Sequence, residues 1–174
     1  AVTWNVSMNK IGKESSRQLL NICSFLAPDN IDRDIFVKNN GFLPEPLSSE
    51  VQSELKYNSA IFELTKYSLI KLQDDKISMH RLLQEVIRQP LAKDEWINYC
   101  ANIMNSIFSF NNYDVDTWKH FSELVPHALS IAQQADQAGV NLTEVERLYF
   151  ETGRWMNQTA MYDKALEWYQ KALV

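Results

Sequence analysis

Residues 67–87 restrict the possible folds more than any other stretch of this chain. Two short apolar runs, 67–73 and 76–79, flank the pair Asp74-Asp75. Neither run is long enough for a stable helix, and both are rich in residues suited to strands, so the stretch predicts a β-hairpin turning at the two aspartates. Met79, Leu82, Leu83, Val86 and Ile87 then recur at three- and four-residue spacing. That period predicts an amphipathic helix, opened by His80 and interrupted at Pro90. No other stretch departs from the helical period so clearly.

Upstream, residues 1–9 have an extended, β-like character. Leu19, Leu20, Ile22, Cys23 and Leu26 share one helical face, and Pro28 ends that run. Asp32 is placed to cap a short helix holding Ile35 and Phe36, with Gly41 to close it. Pro44 and Pro46 mark a loop. Ser49 followed by Gln52 has the spacing of a capping box, which would open helical sequence through Val51 and Leu55. A break near Asn58 is expected before the helix reaches Leu64 and Lys66. Helix, helix, helix, hairpin, helix is the order of a winged-helix domain, assigned here to residues 1–90.

Beyond Pro90 the sequence predicts only helices. Trp96, Ile97, Cys100, Ile103, Met104, Ile107 and Phe108 make an amphipathic stripe, and residues 111–114 form a loop. Trp118, Phe121 and Leu124 begin another helix, which Pro126 should kink or restart. Leu129, Ile131, Ala132 and Ala135 carry it to Gly139, a C-cap residue. Residues 91–142 would thus be connecting helical hairpins, formed from 93–110 and 117–138. Thr143 with Glu146 is a second capping-box pair. Counting from Glu146, Tyr149, Gly153, Met156, Tyr162, Ala165, Tyr169 and Ala172 fall on the signature positions of a 34-residue unit. Residues 143–174 therefore resemble a tetratricopeptide repeat, with Thr152 replacing the usual apolar residue. The fold expected is mainly α: a winged helix followed by helical hairpins of a tetratricopeptide-like solenoid. A single repeat cannot bury its own face, and the chain stops inside the unit, so a fragment of a longer protein is expected.

Composition fits a folded protein, with 45% hydrophobic and 22% charged residues and only four glycines and five prolines. Residues 1–90 hold 11 basic and 11 acidic side chains, whereas 91–174 hold 6 and 11, so the net charge of −5 sits wholly in the second half. That balance argues against nucleic acid as a partner. No apolar run approaches the roughly 20 residues of a membrane span, and residues 1–13 lack a signal-peptide layout. Cys23 and Cys100 lie on apolar stripes of different helices, as buried thiols would. A cytoplasmic location is the expectation.

Several short motifs carry a wider resemblance. Thr3-Trp4 with Ser7 and Ile11, the helix from Leu20 to Phe25-Leu26-Ala27-Pro28-Asp29, and residues 64–70, 78–84 and 124–128 are similar to signal-transducing ATPases of the NB-ARC/STAND class. The similarity is to the subgroup that carries C-terminal tetratricopeptide repeats. In that family a Met-His-Asp motif stands where this chain has Met79-His80-Arg81. The resemblance implies that His80 approaches the diphosphate of ADP and helps hold the parent protein closed, while Arg81 departs from the aspartate. ADP or ATP would be a cofactor of the parent only. No G-x-x-x-x-G-K-[ST] phosphate loop occurs, so this chain alone is expected to hydrolyse nothing.

The plainer role for His80 is to cap the hairpin-to-helix junction through a backbone hydrogen bond. His120 and His127 read as helix-surface or interhelical residues, and no histidine pair has metal-ligand spacing. Trp118, Tyr149, Trp155, Tyr162, Trp168 and Tyr169 read as packing residues, some of which could line a concave peptide-binding face. A winged helix also raises DNA binding. Against it, residues 50–66 hold Glu50, Glu54 and Glu63 beside Lys56 and Lys66, and the hairpin tip is acidic. No nucleophile–base pair or ligand cluster suggests an enzyme. The function expected is a non-catalytic regulatory and protein-binding portion of such an ATPase, contacting an absent nucleotide-binding core and a protein or peptide. The alternatives are a stand-alone helical adaptor and a winged-helix DNA-binding regulator.

Overall fold

A computed structural model describes residues 2–108 and 115–173, with side chains at all of these positions except 2, 3, 5 and 115–120. The loop expected at 111–114, and the side chains of Trp118 and His120, lie outside the described residues. The protein is mainly helical with a small three-stranded sheet, and it divides into two compact units, Ala1–Ala92 and Lys93–Val174.

The first unit contains α1 (Val2–Asn9), α2 (Glu14–Phe25), β1 (Ile31–Asp32), α3 (Asp34–Lys38), a 3₁₀ turn (Asn40–Phe42), α4 (Leu47–Glu50), α5 (Glu54–Lys66), β2 (Lys71–Gln73), β3 (Lys76–Ser78) and α6 (Arg81–Arg88). The sheet order is β1-β3-β2, both pairings antiparallel, with Ile31 and Leu72 flanking Ile77 in register. Asp74 and Asp75 have φ of 50° and 59°, which closes the hairpin in two residues. Both central residues of a type I′ turn need positive φ, and Asp tolerates it better than most side chains. The core joins Leu19, Ile22 and Phe25 of α2 with Ile31, Phe36, Leu47, Leu64, Leu69 and Ile77, none more than 1% exposed.

Several local expectations are corrected. The stretch expected to be extended is helical over Val2–Asn9: the sheet does not include it, and a helix pairs its own backbone groups without a neighbouring strand. The first hairpin strand starts at Lys71, not at residue 67, because Tyr67 and Ser68 end α5. Ser68 takes φ 56°, and Leu69 N–H returns to the Leu64 carbonyl at 3.0 Å. The Ser49–Gln52 capping box does not form. Ser49 lies inside α4 and donates its hydroxyl to the Glu45 carboxylate at 2.7 Å, while Gln52 bonds the Ser48 carbonyl. The helical break falls at residues 51–53 instead of near Asn58, and Leu55 is 82% exposed. Asp32 belongs to β1, yet its Oδ1 still accepts the Asp34 N–H at 2.9 Å. Gly41 lies in the 3₁₀ turn, and Asn39 occupies the C-cap position of α3.

The second unit comprises α7 (Lys93–Ile107), α8 (Val115–Ala138), α9 (Thr143–Gln158) and α10 (Tyr162–Lys171). Helix α8 passes through Pro126 without ending, since proline removes one backbone donor and the flanking turns remain paired. Gly139 ends it at φ 64°, with Val140 N–H bonded to the Ala135 carbonyl at 3.0 Å, an αL termination suited to glycine. The Thr143 capping box fails by one position: Thr143 is the first helical residue, and Leu142, at the N-cap position, has no capping side chain.

Helix α9 packs on α7, α8 and α10. Aromatic rings fill the seams of this unit, with Phe108–Phe121 centroids 3.9 Å apart where α7 meets α8 and Tyr149–Trp168 centroids 5.1 Å apart between α9 and α10. Gly153 sets the approach of α10. A Cβ there would lie 3.0 Å from the Tyr169 ring and 3.4 Å from the Ala165 carbonyl oxygen. Tyr162 does not fill the interhelical space, being 64% exposed. His127 is buried, which removes the helix-surface reading. Both cysteines are buried thiols, Cys23 on α2 and Cys100 on α7.

Candidate functional site

His80 sits where β3 gives way to α6. Ile77 anchors the strand in the core, and Met79 N–H bonds the Pro28 carbonyl at 2.7 Å, which fixes the chain just before it turns. His80 then takes φ −67° and ψ 132° at the N-cap of α6, and its Nδ1 accepts the Leu82 N–H at 3.2 Å. An acceptor at Nδ1 puts the proton of the neutral ring on Nε2. The exposed ring therefore offers a donor to an outside acceptor while it caps the helix. Trp4 covers part of it, with ring centroids 5.5 Å apart at 41°. Arg81 and Leu82, which follow, are exposed.

Residues whose roles periodicity does not disclose hold this junction. Gln84 is buried and donates its amide to the Cys23 and Leu26 carbonyls, each at 3.0 Å, tying α6 to the end of α2. Arg88 adds a hydrogen bond to the Ser24 carbonyl. At the other end of α2, the Glu63 carboxylate of α5 accepts the Gly12 N–H at 2.8 Å and the Lys13 N–H at 3.4 Å. Burial alone would push its carboxyl up, but the Ser16 hydroxyl and these two N–H groups outweigh it and hold it below its ordinary value.

The hairpin tip is similarly committed. Arg33 stacks on the Tyr57 ring at 5.0 Å, donates to Asn58 Oδ1 at 2.6 Å and lies 3.6 Å from the Asp75 carboxylate. Tyr57 returns its hydroxyl to the Arg33 carbonyl at 2.9 Å. Lys76 bridges Asp32 at 2.9 Å. Burial raises the Asp32 carboxyl, yet hydrogen bonds from Lys76 and the Asp34 N–H win, and its pKa is lowered.

A second candidate lies on the last helical hairpin. Tyr162, Leu166 and Leu173 of α10 and its C-terminal extension are 64%, 61% and 87% exposed. Beside them a groove of about 550 Å³ opens between α9 and α10, lined chiefly by Phe150, Tyr169, Ala172 and Leu173, with Glu146 and Arg147 at its edge. Phe150 and Tyr169 rings meet at 5.8 Å along its floor. On the far side of α9, Asp136 of α8 accepts from both Tyr149 and Lys171, the latter at 2.6 Å, joining three helices. Burial, reinforced by that carboxylate, pushes the Tyr149 hydroxyl upward in pKa, so it keeps the proton it donates. Trp155 meets Phe121 and Trp168 meets Tyr149, so these two aromatics serve packing.

Among the described residues no group of His, Cys, Asp and Glu side chains could hold a metal ion, and no helix is long and apolar enough to cross a membrane. Residues 6–96 match the family model described as domain of unknown function DUF7779, and the chain belongs to that family. No curated protein and no solved structure matches it.

Proposed function

We propose that this chain is a non-catalytic regulatory and protein-docking module, in which a winged-helix unit is coupled to a tetratricopeptide-like helical array. The observation that carries the docking role is the apolar stripe of α10 beside the α9–α10 groove. Tyr162 and Leu166 of α10 and Leu173 in the turn after it are more than half exposed, and they adjoin a concavity lined by Phe150 and Tyr169. Contiguous apolar surface of this kind marks interaction sites on soluble domains. The close packing at Gly153 and Ala165 supports the repeat reading, because small residues there let paired helices approach.

In the first unit, the order α2–β1–α3–α5–β2–β3 and the sheet order β1-β3-β2 support a winged helix. DNA is a poor ligand for it: α5 carries exposed Leu55 and Phe62, and the hairpin turn is built from two aspartates. His80, exposed and with Nε2 as a donor, is suited to meet an acceptor brought by a neighbouring domain, and a diphosphate oxygen would serve. In this reading the parent is a signal-transducing ATPase of the NB-ARC/STAND class, and docking at the array shifts its nucleotide-dependent closed–open balance. A stand-alone helical adaptor would use the same docking face without a nucleotide link.

Two measurements test the proposal. A designed amphipathic helical peptide with a leucine stripe and uncharged flanks should bind the chain, and Leu166→Glu should abolish binding; absence of binding to the wild type sinks the docking role. In a longer protein containing this chain, His80→Ala should weaken ADP retention or raise basal activity. If both are unchanged, the adaptor reading replaces the coupled one.

A further inference from the structure

The one Asn-Gly dipeptide of the chain, Asn40-Gly41, opens the 3₁₀ turn between α3 and α4. An asparagine before glycine can react with its own backbone. The glycine nitrogen attacks the side-chain amide carbon, and only glycine lacks a Cβ to obstruct that approach. Gly41 is exposed, its φ lies outside the left-handed region, and a Cβ built there would meet no atom within 4 Å. Nothing in the fold therefore requires glycine at this position. Asn39, the other asparagine of the turn, is buried and is followed by a residue whose side chain crowds the same approach.

The fold holds Asn40 away from the reaction. In a 3₁₀ turn ψ stays near roughly −25°, whereas closing a five-membered ring onto the next nitrogen needs ψ well outside the helical range. The Asn40 amide donates to the Val37 carbonyl at 3.0 Å, which draws it back over the preceding turn. The Asn40 carbonyl accepts the Leu43 N–H at 3.0 Å and the Ser48 hydroxyl at 2.9 Å, clamping the main chain and tying the turn to α4. Ring closure must wait until this turn opens, an event that needs no global unfolding.

We propose that Asn40 is a site of self-modification by deamidation, gated by opening of the 40–43 turn, and that conversion weakens the tie between this turn and α4. The Gly41 nitrogen gives its proton to solvent and bonds to Asn40 Cγ; the Cγ–Nδ2 bond breaks, and the nitrogen leaves as ammonia with a proton from water. Water then opens the cyclic imide at either carbonyl, leaving aspartate or isoaspartate, with no oxidant or reductant involved. Aspartate lacks the amide that donates to Val37. In isoaspartate the main chain runs through the former Cγ and is one atom longer. The carbonyl that bound Leu43 and Ser48 then belongs to a free carboxylate, beside the buried side chains of Leu43 and Leu47.

The test follows the full chain by peptide mass mapping at mildly alkaline pH, both folded and unfolded in urea. In urea Asn40 should convert faster than every other asparagine, and Gly41→Ala should bring it down to their level. In the folded chain Asn40 should convert at least about ten-fold more slowly than in urea, because only the opened turn reacts. Conversion in urea no faster at Asn40 than elsewhere overturns the site, and equal rates in the folded and unfolded chain overturn the gate. Chain converted in urea, refolded and separated by anion exchange should unfold at lower urea than unconverted chain treated alike. Coincident unfolding curves overturn the weakened tie.

Discussion

The two units reach a stable core by different means. The first is assembled from pieces of 2 to 13 residues, and side chains reaching far along the sequence fasten the joints. Glu63 caps the start of α2 from 50 residues away, Gln84 ties its end, and Gln18 holds both the Glu45 carbonyl and the Leu47 N–H. The second unit is built from longer helices, of 10 to 24 residues, and among the described residues rings and small side chains fill the seams between them. Short irregular elements leave backbone groups at every junction, and each needs a specific partner when buried. Long helices satisfy their own backbone, so apolar packing suffices, and such packing can be left open on one face for another helix. The first unit is thereby fastened at its junctions by polar side chains, whereas the second is held by packing; both leave large apolar side chains exposed, Leu55 and Phe62 in the first and Tyr162 and Leu166 in the second.

If this contrast holds, the first unit should be most sensitive to loss of polar side chains. Gln84→Ala leaves the buried Cys23 and Leu26 carbonyls without that donor and should cost about 3 kcal/mol in urea unfolding followed by far-ultraviolet circular dichroism. A cost below about 0.5 kcal/mol, the ordinary surface-substitution range, would break the comparison. The second unit should be most sensitive to volume. Gly153→Leu forces Tyr169 away and should cost about 2 kcal/mol despite the better helix propensity of leucine. Conversely, Thr152 is fully buried with no hydrogen-bond partner for its hydroxyl among the described residues. Thr152→Val should stabilise that unit by about 1 kcal/mol, raising its thermal midpoint, because it deletes an unmet polar group at nearly constant shape.

The smallest effect expected is at Glu63. Its folded pKa is depressed from the ordinary 4.5, so its contribution is present above that value and is lost as pH falls through the lower folded one. Glu63→Gln should be less stable than the wild type at pH 7, and the two should converge in acid. A difference that persists unchanged at low pH would mean that shape, not charge, matters at this cap.

How legible each unit was in the sequence follows from the same contrast. The helix at Leu19–Leu26, the hairpin turn at Asp74-Asp75, the αL end at Gly139 and the burial of both cysteines could be read, because each depends on local chemistry or helical period. Strand β1 could not, since two residues, Ile31 paired with the distant Ile77 and Asp32 with Lys76, leave no pattern. Arg33, Glu63 and Gln84 look like ordinary surface residues in sequence, and only the fold brings their partners within reach. Both capping boxes misled, since a Ser or Thr at the right spacing caps only if the chain enters the helix there. His80 was legible as a cap but its Trp4 neighbour was not, because residues 1–9 carry few structural signals and read as extended.

The two buried cysteines supply a built-in clock for each unit. Burial pushes the Cys23 thiol up to about 12, so in the closed state at neutral pH it offers almost no thiolate to a labelling reagent. Reaction must wait for its surroundings to open, and Cys100 is equally hidden in the second unit. Labelling of the unmodified chain, resolved by peptide mass, would therefore time the opening of each half separately without an added probe. A docked helix on α10 should slow the Cys100 clock and leave the Cys23 clock running at its own rate.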